Sequence, residues 1–267
     1  MKRIALLFLV ICFAGSLSAL SKERKEEDVR YNIIYIGDSI TAGALHSDRD
    51  KSAPPVVATD ILTNKFSNRI INVADFSNCG RSGATTVDFL PSRNRDFKRV
   101  EKSIANFKAE AEKTPAKEKY VFSIMLGTND SASKGPTGSP VSNADYKNNL
   151  LTIISRLREM CPESIFVLHR PIWYSPNTYN GARYLVAGLN RATEYITPLE
   201  ELARENDDIY LGDCKSYGLF KNEYQKYMFA EKGNAGTFYL HPNEEGAVEL
   251  AENWAKAIAA AVKASAR

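Results

Sequence analysis

Four short blocks of the sequence carry side chains suited to acyl transfer. Ser39 stands in IGDSITAG, directly after the apolar run YNIIYIG (31–37). A serine there either caps a following helix by accepting a free backbone N–H, or acts as a nucleophile beside the positive end of that helix. In NCGRSGATT (78–86), Gly80 and Gly83 bracket a turn where backbone N–H groups can approach a ligand closely. MLGTND (125–130) offers the Asn129 amide, which either points at a carbonyl oxygen or closes an Asx-turn. TFYLHPNEEG (237–246) supplies His241 as a base. Together these are an oxygen nucleophile, neutral donors for a tetrahedral oxyanion, and a proton acceptor.

Positioning such residues requires elements whose ends converge. The runs YNIIYIG, RIINVA, KYVFSIML, SIFVLH and DIYLG read as short, β-rich buried strands. Between them, apolar residues three or four apart predict helices over about Pro55–Phe66, Phe97–Glu112, Ala144–Met160, Ala182–Glu205 and Glu245–Val262. Strands alternating with helices imply a parallel sheet covered on both faces, with the ligand crevice at the carboxyl ends of the strands. The first three blocks all sit at such ends.

Composition narrows the partners. Of 267 residues, 44% are hydrophobic and 25% charged, within the ordinary globular range. The first nineteen residues differ: Lys2 and Arg3 precede an apolar run from Ile4 to Ala14, and small residues surround Ser18 and Ala19. This is the layout of a cleaved export signal, so residues 1–19 are expected to be removed, leaving a charged segment over 20–30 and one domain over 31–267. The expected location is periplasmic or secreted, without stable membrane insertion. Loss of Lys2 and Arg3 lowers the formal charge from +3 (35 minus 32) to +1 (33 minus 32). Neither a basic run nor aromatic–basic alternation points to nucleic acid. Cys79, Cys161 and Cys214 form no Cys-x-x-Cys pair; one disulfide plus a spare thiol is open, with the pairing undetermined. No metal or cofactor is called for.

The ordered set GDSIT, G-x-SG after an asparagine, GTND, and H-P-N near the carboxyl end resembles the SGNH, or GDSL, hydrolase family over about residues 31–262. The resemblance implies a three-layer α/β/α, flavodoxin-like domain around a five-stranded parallel sheet. It also implies Ser39 as nucleophile, His241 as general base, and an oxyanion hole from the N–H groups of Ser39 and Gly80 with the Asn129 side chain. The wording LGTNDS and PIWYSPN is similar to the carbohydrate esterase branch, implying a short acyl group, acetyl above all, on a glycan. A lysophospholipase or thioesterase, or a non-catalytic carbohydrate-binding protein on the same fold, are the alternatives.

The family more often has an aspartate three residues before this histidine, whereas this chain has Phe238. A histidine acts as base through one nitrogen only when the other is protonated and held. The expected holder is the main-chain carbonyl of Phe238, with the carboxylates of Asp213 and Glu231 as alternatives. His46, if on one helix with Ser39, would lie about 10 Å away along the axis, too far for direct proton transfer. His169 ends the fourth strand, where it either meets substrate or is a buried, hydrogen-bonded imidazole. The loop after it, RPIWYSPNTYNG, concentrates Arg170, Trp173, Tyr174 and Tyr179, whose faces and polar handles suit sugars. The segment SASKGPTGSP (131–140) is expected to form a rim beside Asn129.

Overall fold

The five expected strands form one parallel sheet in the computed structural model, which describes residues 29–67, 69–113 and 116–266. In chain order they are β1 (Val29–Gly37), β2 (Val73–Asn78), β3 (Lys117–Met125), β4 (Ile165–Leu168) and β5 (Ile209–Leu211), arranged β2-β1-β3-β4-β5. Both faces are buried, which explains why the central strands read as nearly continuous apolar runs. Alternate residues serve opposite layers. Ile34, Ile36, Phe122 and Phe166 pack with one cluster of helical side chains, including Val100, Leu150, Ile153 and Leu199. Ile33, Tyr35, Val121 and Val167 pack with another, including Ala58, Leu250, Trp254 and Ile258. Truncating one such isoleucine or leucine to alanine costs about 2–5 kcal/mol.

The helices are α1 (Arg49–Ser52), α2 (Pro54–Ile61), α3 (Phe97–Ala111), α4 (Asn143–Met160), α5 (Leu185–Glu194), α6 (Ile196–Glu205), α7 (Lys215–Tyr227) and α8 (Glu244–Ser265). A π-helical turn over Leu62–Phe66 extends α2. Side-chain caps start the two helices nearest the site loops. Ser142 Oγ accepts the Asp145 N–H at 3.1 Å for α4, and Asn243 Oδ1 accepts the Gly246 N–H at 2.9 Å for α8. Asn243 also donates from Nδ2 to the Lys226 carbonyl at 2.7 Å, fixing the chain just after His241.

Several expectations shift. The second strand shares only Val73 and Ala74 with RIINVA and runs on to Asn78, because the Ile70 and Ile71 N–H groups turn back onto the Phe66 carbonyl. The helix expected over Ala182–Glu205 starts at Leu185 and breaks at Tyr195, giving α5 and α6. Helix α7 and an antiparallel hairpin, β6 (Met228–Gly233) with β7 (Gly236–Pro242), were not anticipated. The first strand begins at Val29, inside the charged segment expected over 20–30. The expected signal at 1–19 lies outside the described residues.

Candidate active site

Beyond Gly37 the chain enters a set of hydrogen-bonded turns, not the helix expected at Ser39. Asp38 Oδ1 accepts the Ile40 N–H at 2.9 Å, the Asp38 carbonyl accepts Ala42 N–H at 3.0 Å, and the Ser39 carbonyl accepts Ala44 N–H at 2.9 Å. Left-handed φ values at Gly43 (70°) and Leu45 (71°) stop the turns from propagating as a helix. Ser39 is therefore neither a helix cap nor backed by a helix dipole. Asp38 beneath it is fully buried, and that burial raises its carboxyl to about 6 against the opposing pull of the Ile40 N–H.

His241 comes to Ser39 from the hairpin. Its Nε2 lies 2.9 Å from Ser39 Oγ, and its Nδ1 lies 2.9 Å from Glu231 Oε1. The same carboxylate oxygen accepts the backbone N–H of His241 at 3.2 Å. Because Glu231 Oε1 accepts the backbone N–H it acts as an acceptor at this point, so Nδ1 carries the proton and the Nε2 lone pair faces the serine hydroxyl. Glu231 thus takes the position expected for the Phe238 carbonyl. The other carboxylate considered, Asp213, lies elsewhere: its Oδ1 accepts the N–H groups of Lys215 and Ser216 at the start of α7.

The reason lies in the hairpin register. Glu231 pairs with Phe238 and Ala230 with Tyr239, but Met228 pairs with Pro242, so Leu240 and His241 stand opposite Phe229 alone. Such a bulge breaks the strict alternation of side chains and re-aims one of them. Here it occurs at His241 itself. His46 braces the same region, with its Nε2 3.1 Å from the Pro242 carbonyl and its Nδ1 3.0 Å from Ser52 Oγ.

One of the three expected donors, Gly80, differs from expectation. The Gly80 N–H is directed to Asn78 Oδ1 at 2.9 Å, and a Cβ on Gly80 would come within 2.5 Å of the Ala42 nitrogen. Gly80 is thus the close contact that lets β2's exit pack on the Ser39 turn, and it lies outside the cleft at Ser39. Gly83, with φ of 78°, lines that cleft instead. Asn129 is clamped in place. Its Oδ1 accepts the Tyr184 hydroxyl at 2.6 Å, and its Nδ2 donates to the Ala84 carbonyl at 3.0 Å, leaving a second Nδ2 hydrogen for the cleft. Next to it, Asp130 accepts the Thr86 N–H at 2.9 Å and its hydroxyl, tying the Asn129 loop to the Gly83 loop. Burial pushes the Asp130 carboxyl up to about 7.

Ser39, Asn129 and His241 share a cleft of about 580 Å³ with Gly83, Tyr184 and Leu240. Gly135 and Pro136 of the 131–140 segment contribute to its rim.

The sequence profile of the GDSL-like lipase/acylhydrolase family matches residues 35–248. The chain belongs to that family. As a GDSL-like acylhydrolase it is an ester hydrolase by class. No curated protein matches it by sequence. Solved structures with the same fold include a lipase/acylhydrolase from Enterococcus faecalis, 20% identical, with a TM-score of 0.52 over 86% of this chain and 96% of that one. A catalytic mutant of an acetylxylan esterase from Geobacillus stearothermophilus is 16% identical, with a TM-score of 0.55 over 85% and 93% of the two chains. A carbohydrate acetylesterase from Sinorhizobium meliloti is 14% identical, with a TM-score of 0.54 over 86% and 99%.

None of the five residues expected to contact substrate lines the acylhydrolase's cleft. His169 is buried in the sheet: its Nδ1 accepts the Asp213 N–H at 2.9 Å, its Nε2 donates to Ser123 Oγ at 2.9 Å, and its ring stacks on Trp254. Burial drives its pKa down to about 3. The Arg170 guanidinium lies 3.7 Å from the Tyr217 ring centroid. Trp173 packs on Tyr224, and Tyr174 is buried with its hydroxyl 2.8 Å from Ser131 Oγ. Tyr179 is half-buried and accepts the Asn234 N–H at its carbonyl. The physical reason is that this loop folds under the β6–β7 hairpin, where Tyr174 joins Tyr184, Phe238 and Leu240 in a third apolar cluster. Only its tip, at Asn180 to Ala182, reaches the cleft.

Reading the sequence alone missed Gly83 as the cleft-lining glycine, Tyr184 as the brace of Asn129, and Arg49 in the cleft wall. Gly83 sits in the quoted block and could have been chosen; Tyr184 and Arg49 carry no local signal. Among the described residues no group of three His, Cys, Asp or Glu side chains gathers as a metal site, and Cys79, Cys161 and Cys214 are separate thiols.

Proposed function

We propose that this acylhydrolase is a serine esterase that removes short acyl groups, acetyl above all, from carbohydrate through Ser39, His241 and Glu231. The observation that carries the reading is the single imidazole held at 2.9 Å from both the serine hydroxyl and a carboxylate. Ser39 Oγ attacks the ester carbonyl while Nε2 of His241 takes its proton. Glu231 holds the Nδ1–H and offsets the imidazolium charge. The tetrahedral oxyanion is held by the N–H groups of Ser39 and Gly83 and the free hydrogen of Asn129 Nδ2. His241 returns the proton to the leaving sugar hydroxyl as the C–O bond breaks, leaving an acyl-Ser39 ester. Water, deprotonated by His241, then attacks this ester; acetic acid leaves and Ser39 recovers its hydrogen.

The cleft lining supports the substrate class. The cleft wall mixes Asn129, Asn180, Ser82 and Tyr184 with Leu45 and Leu240, a lining better suited to a hydroxylated leaving group than to a long alkyl chain. The acetylxylan and carbohydrate acetylesterases of the same fold agree with this reading, although at 14–16% identity they share only the fold. The leader-like residues 1–19 extend the proposal to an exported enzyme, checked by finding the mature amino terminus near residue 20 in periplasm or medium.

The test is acetate release from a panel of acetylated oligosaccharides by the native protein and Ser39→Ala. The expected result is release by the native protein alone, with rates on 4-nitrophenyl esters falling beyond acetyl and propionyl. Equal rates for native and variant would end the esterase reading. Rates climbing steadily with acyl length would instead point to a lysophospholipase or thioesterase.

A further inference from the structure

A second cleft of about 360 Å³ adjoins the first, and Arg49 lines both. Its wall includes Arg99, Asn78, Phe76 and Asp50. It lies beside the carboxyl end of β2, at the crevice side of the sheet where the Ser39 turn emerges.

The charge of this second cleft is uncommitted. Among the described residues, neither Arg49 nor Arg99 makes an ion pair or side-chain hydrogen bond, whereas the nearby Arg81 binds Asp88 at 2.9 Å and Asp96 at 2.5 Å. Two guanidiniums face one carboxylate, Asp50, in the same wall, leaving an excess of one positive charge. Asn78 carries no charge, and its amide is engaged: its Nδ2 donates to the Thr41 carbonyl and its Oδ1 accepts the Gly80 N–H. Phe76 is half-buried, braced edge-on by Tyr35 at 6.3 Å, and lines the cleft beside the cations. A guanidinium fork matches a carboxylate, and an aromatic face suits the C–H face of a sugar ring.

Resting on the esterase reading above, we propose that the Arg49–Arg99 cleft is a subsite for a carboxylate-bearing sugar, so that the enzyme's substrate is an acetylated glycan containing uronate units. The acetylated unit lies at Ser39, and a neighbouring uronate lies across Arg49 against Arg99 and Phe76. Arg49, at the junction, sets the register of one unit against the other.

The test is a calorimetric titration of the intact protein with a xylo-oligosaccharide bearing one glucuronate, and with the same oligosaccharide after carboxyl reduction. The acidic form is expected to bind about tenfold more tightly at low ionic strength, as befits one charge-assisted contact. That gap should shrink in roughly 0.5 M salt because the arginines are exposed. Arg49→Gln and Arg99→Gln should each abolish most of the gap, and Arg99→Lys should restore part of it. Equal affinities for the two sugars, or a gap that survives both glutamine variants, would overturn the proposal. Neither ligand carries an ester, so the outcome does not depend on Ser39. A failed acetate-release assay would count against the esterase reading alone.

Discussion

Replacing Glu231 with glutamine isolates the contribution of one charge. Glu231 Oε1 accepts two hydrogen bonds from the same residue, one from His241 Nδ1 and one from the His241 backbone N–H. A glutamine amide could in principle turn its NH2 toward the ring and impose the wrong tautomer, which costs about 10⁴ in rate. The backbone N–H opposes that, because it requires an acceptor at the same place. The substituted amide should therefore present its carbonyl oxygen, preserving tautomer and geometry while losing the charge. An imidazolium and a carboxylate with centres about 4 Å apart attract by roughly 4 kcal/mol at an effective dielectric of 20. The retained neutral hydrogen bond offsets about 1 kcal/mol of this. The remaining deficit of about 3 kcal/mol corresponds to a fall in kcat of about 10²- to 10³-fold, with KM nearly unchanged. Steady-state kinetics on 4-nitrophenyl acetate for Glu231→Gln, with Ser39→Ala as the baseline, measures it. A fall of less than threefold would mean the carboxylate does not stabilise the imidazolium, and a fall near 10⁴ would refute the backbone-anchoring argument.

The two glycines should separate cleanly. Gly80→Ala puts a Cβ within 2.5 Å of the Ala42 nitrogen and should displace the Ser39 turn, lowering kcat by about 10²-fold and lowering Tm. Gly83→Ala meets nothing within 4 Å, so its stability cost should be only the positive-φ strain of about 1–2 kcal/mol, read from urea midpoints. His169, held neutral by burial to about pH 3, should give stability a pH slope. The unfolded chain protonates this imidazole below about pH 6.5 while the folded one does not, so stability present above 6.5 is lost as pH falls, at about 1.4 kcal/mol per unit. His169→Gln, which retains an acceptor for Asp213 N–H and a donor for Ser123, should flatten the unfolding free energy between pH 6 and 4.5 relative to the native protein. Parallel profiles would contradict it.

The sheet was legible because burial on both faces writes itself as unbroken β-branched and aromatic runs, as in YNIIYIG and KYVFSIML. The edge strand β2 was not, since VADFSN is half-buried and polar while the apolar Ile70 and Ile71 precede it in a turn. Ser39 and Asn129 announced themselves by following strands in short motifs, and His241 by the H-P-N block near the carboxyl end. Glu231 was one of two alternative carboxylates beside the Phe238 carbonyl, and sequence could not choose it, because its link to His241 depends on a hairpin register and a bulge at His241, neither of which is a local pattern. The aromatic loop misled for a related reason: residues suited to sugar also suit an apolar cluster, and only the fold of the loop beneath the hairpin decides between them.

Glu231 and His241 ride on one two-stranded arm outside the five-stranded sheet, whereas Ser39 belongs to the sheet's own rim. In the proposed mechanism, proton handling and nucleophile are thus separate modules: a transplant of residues 228–242 would carry the imidazole and its carboxylate partner across together, already in register. Conversely, a lineage could exchange the aspartate three positions before its histidine for an acid on the facing strand without disturbing the scaffold that presents the serine.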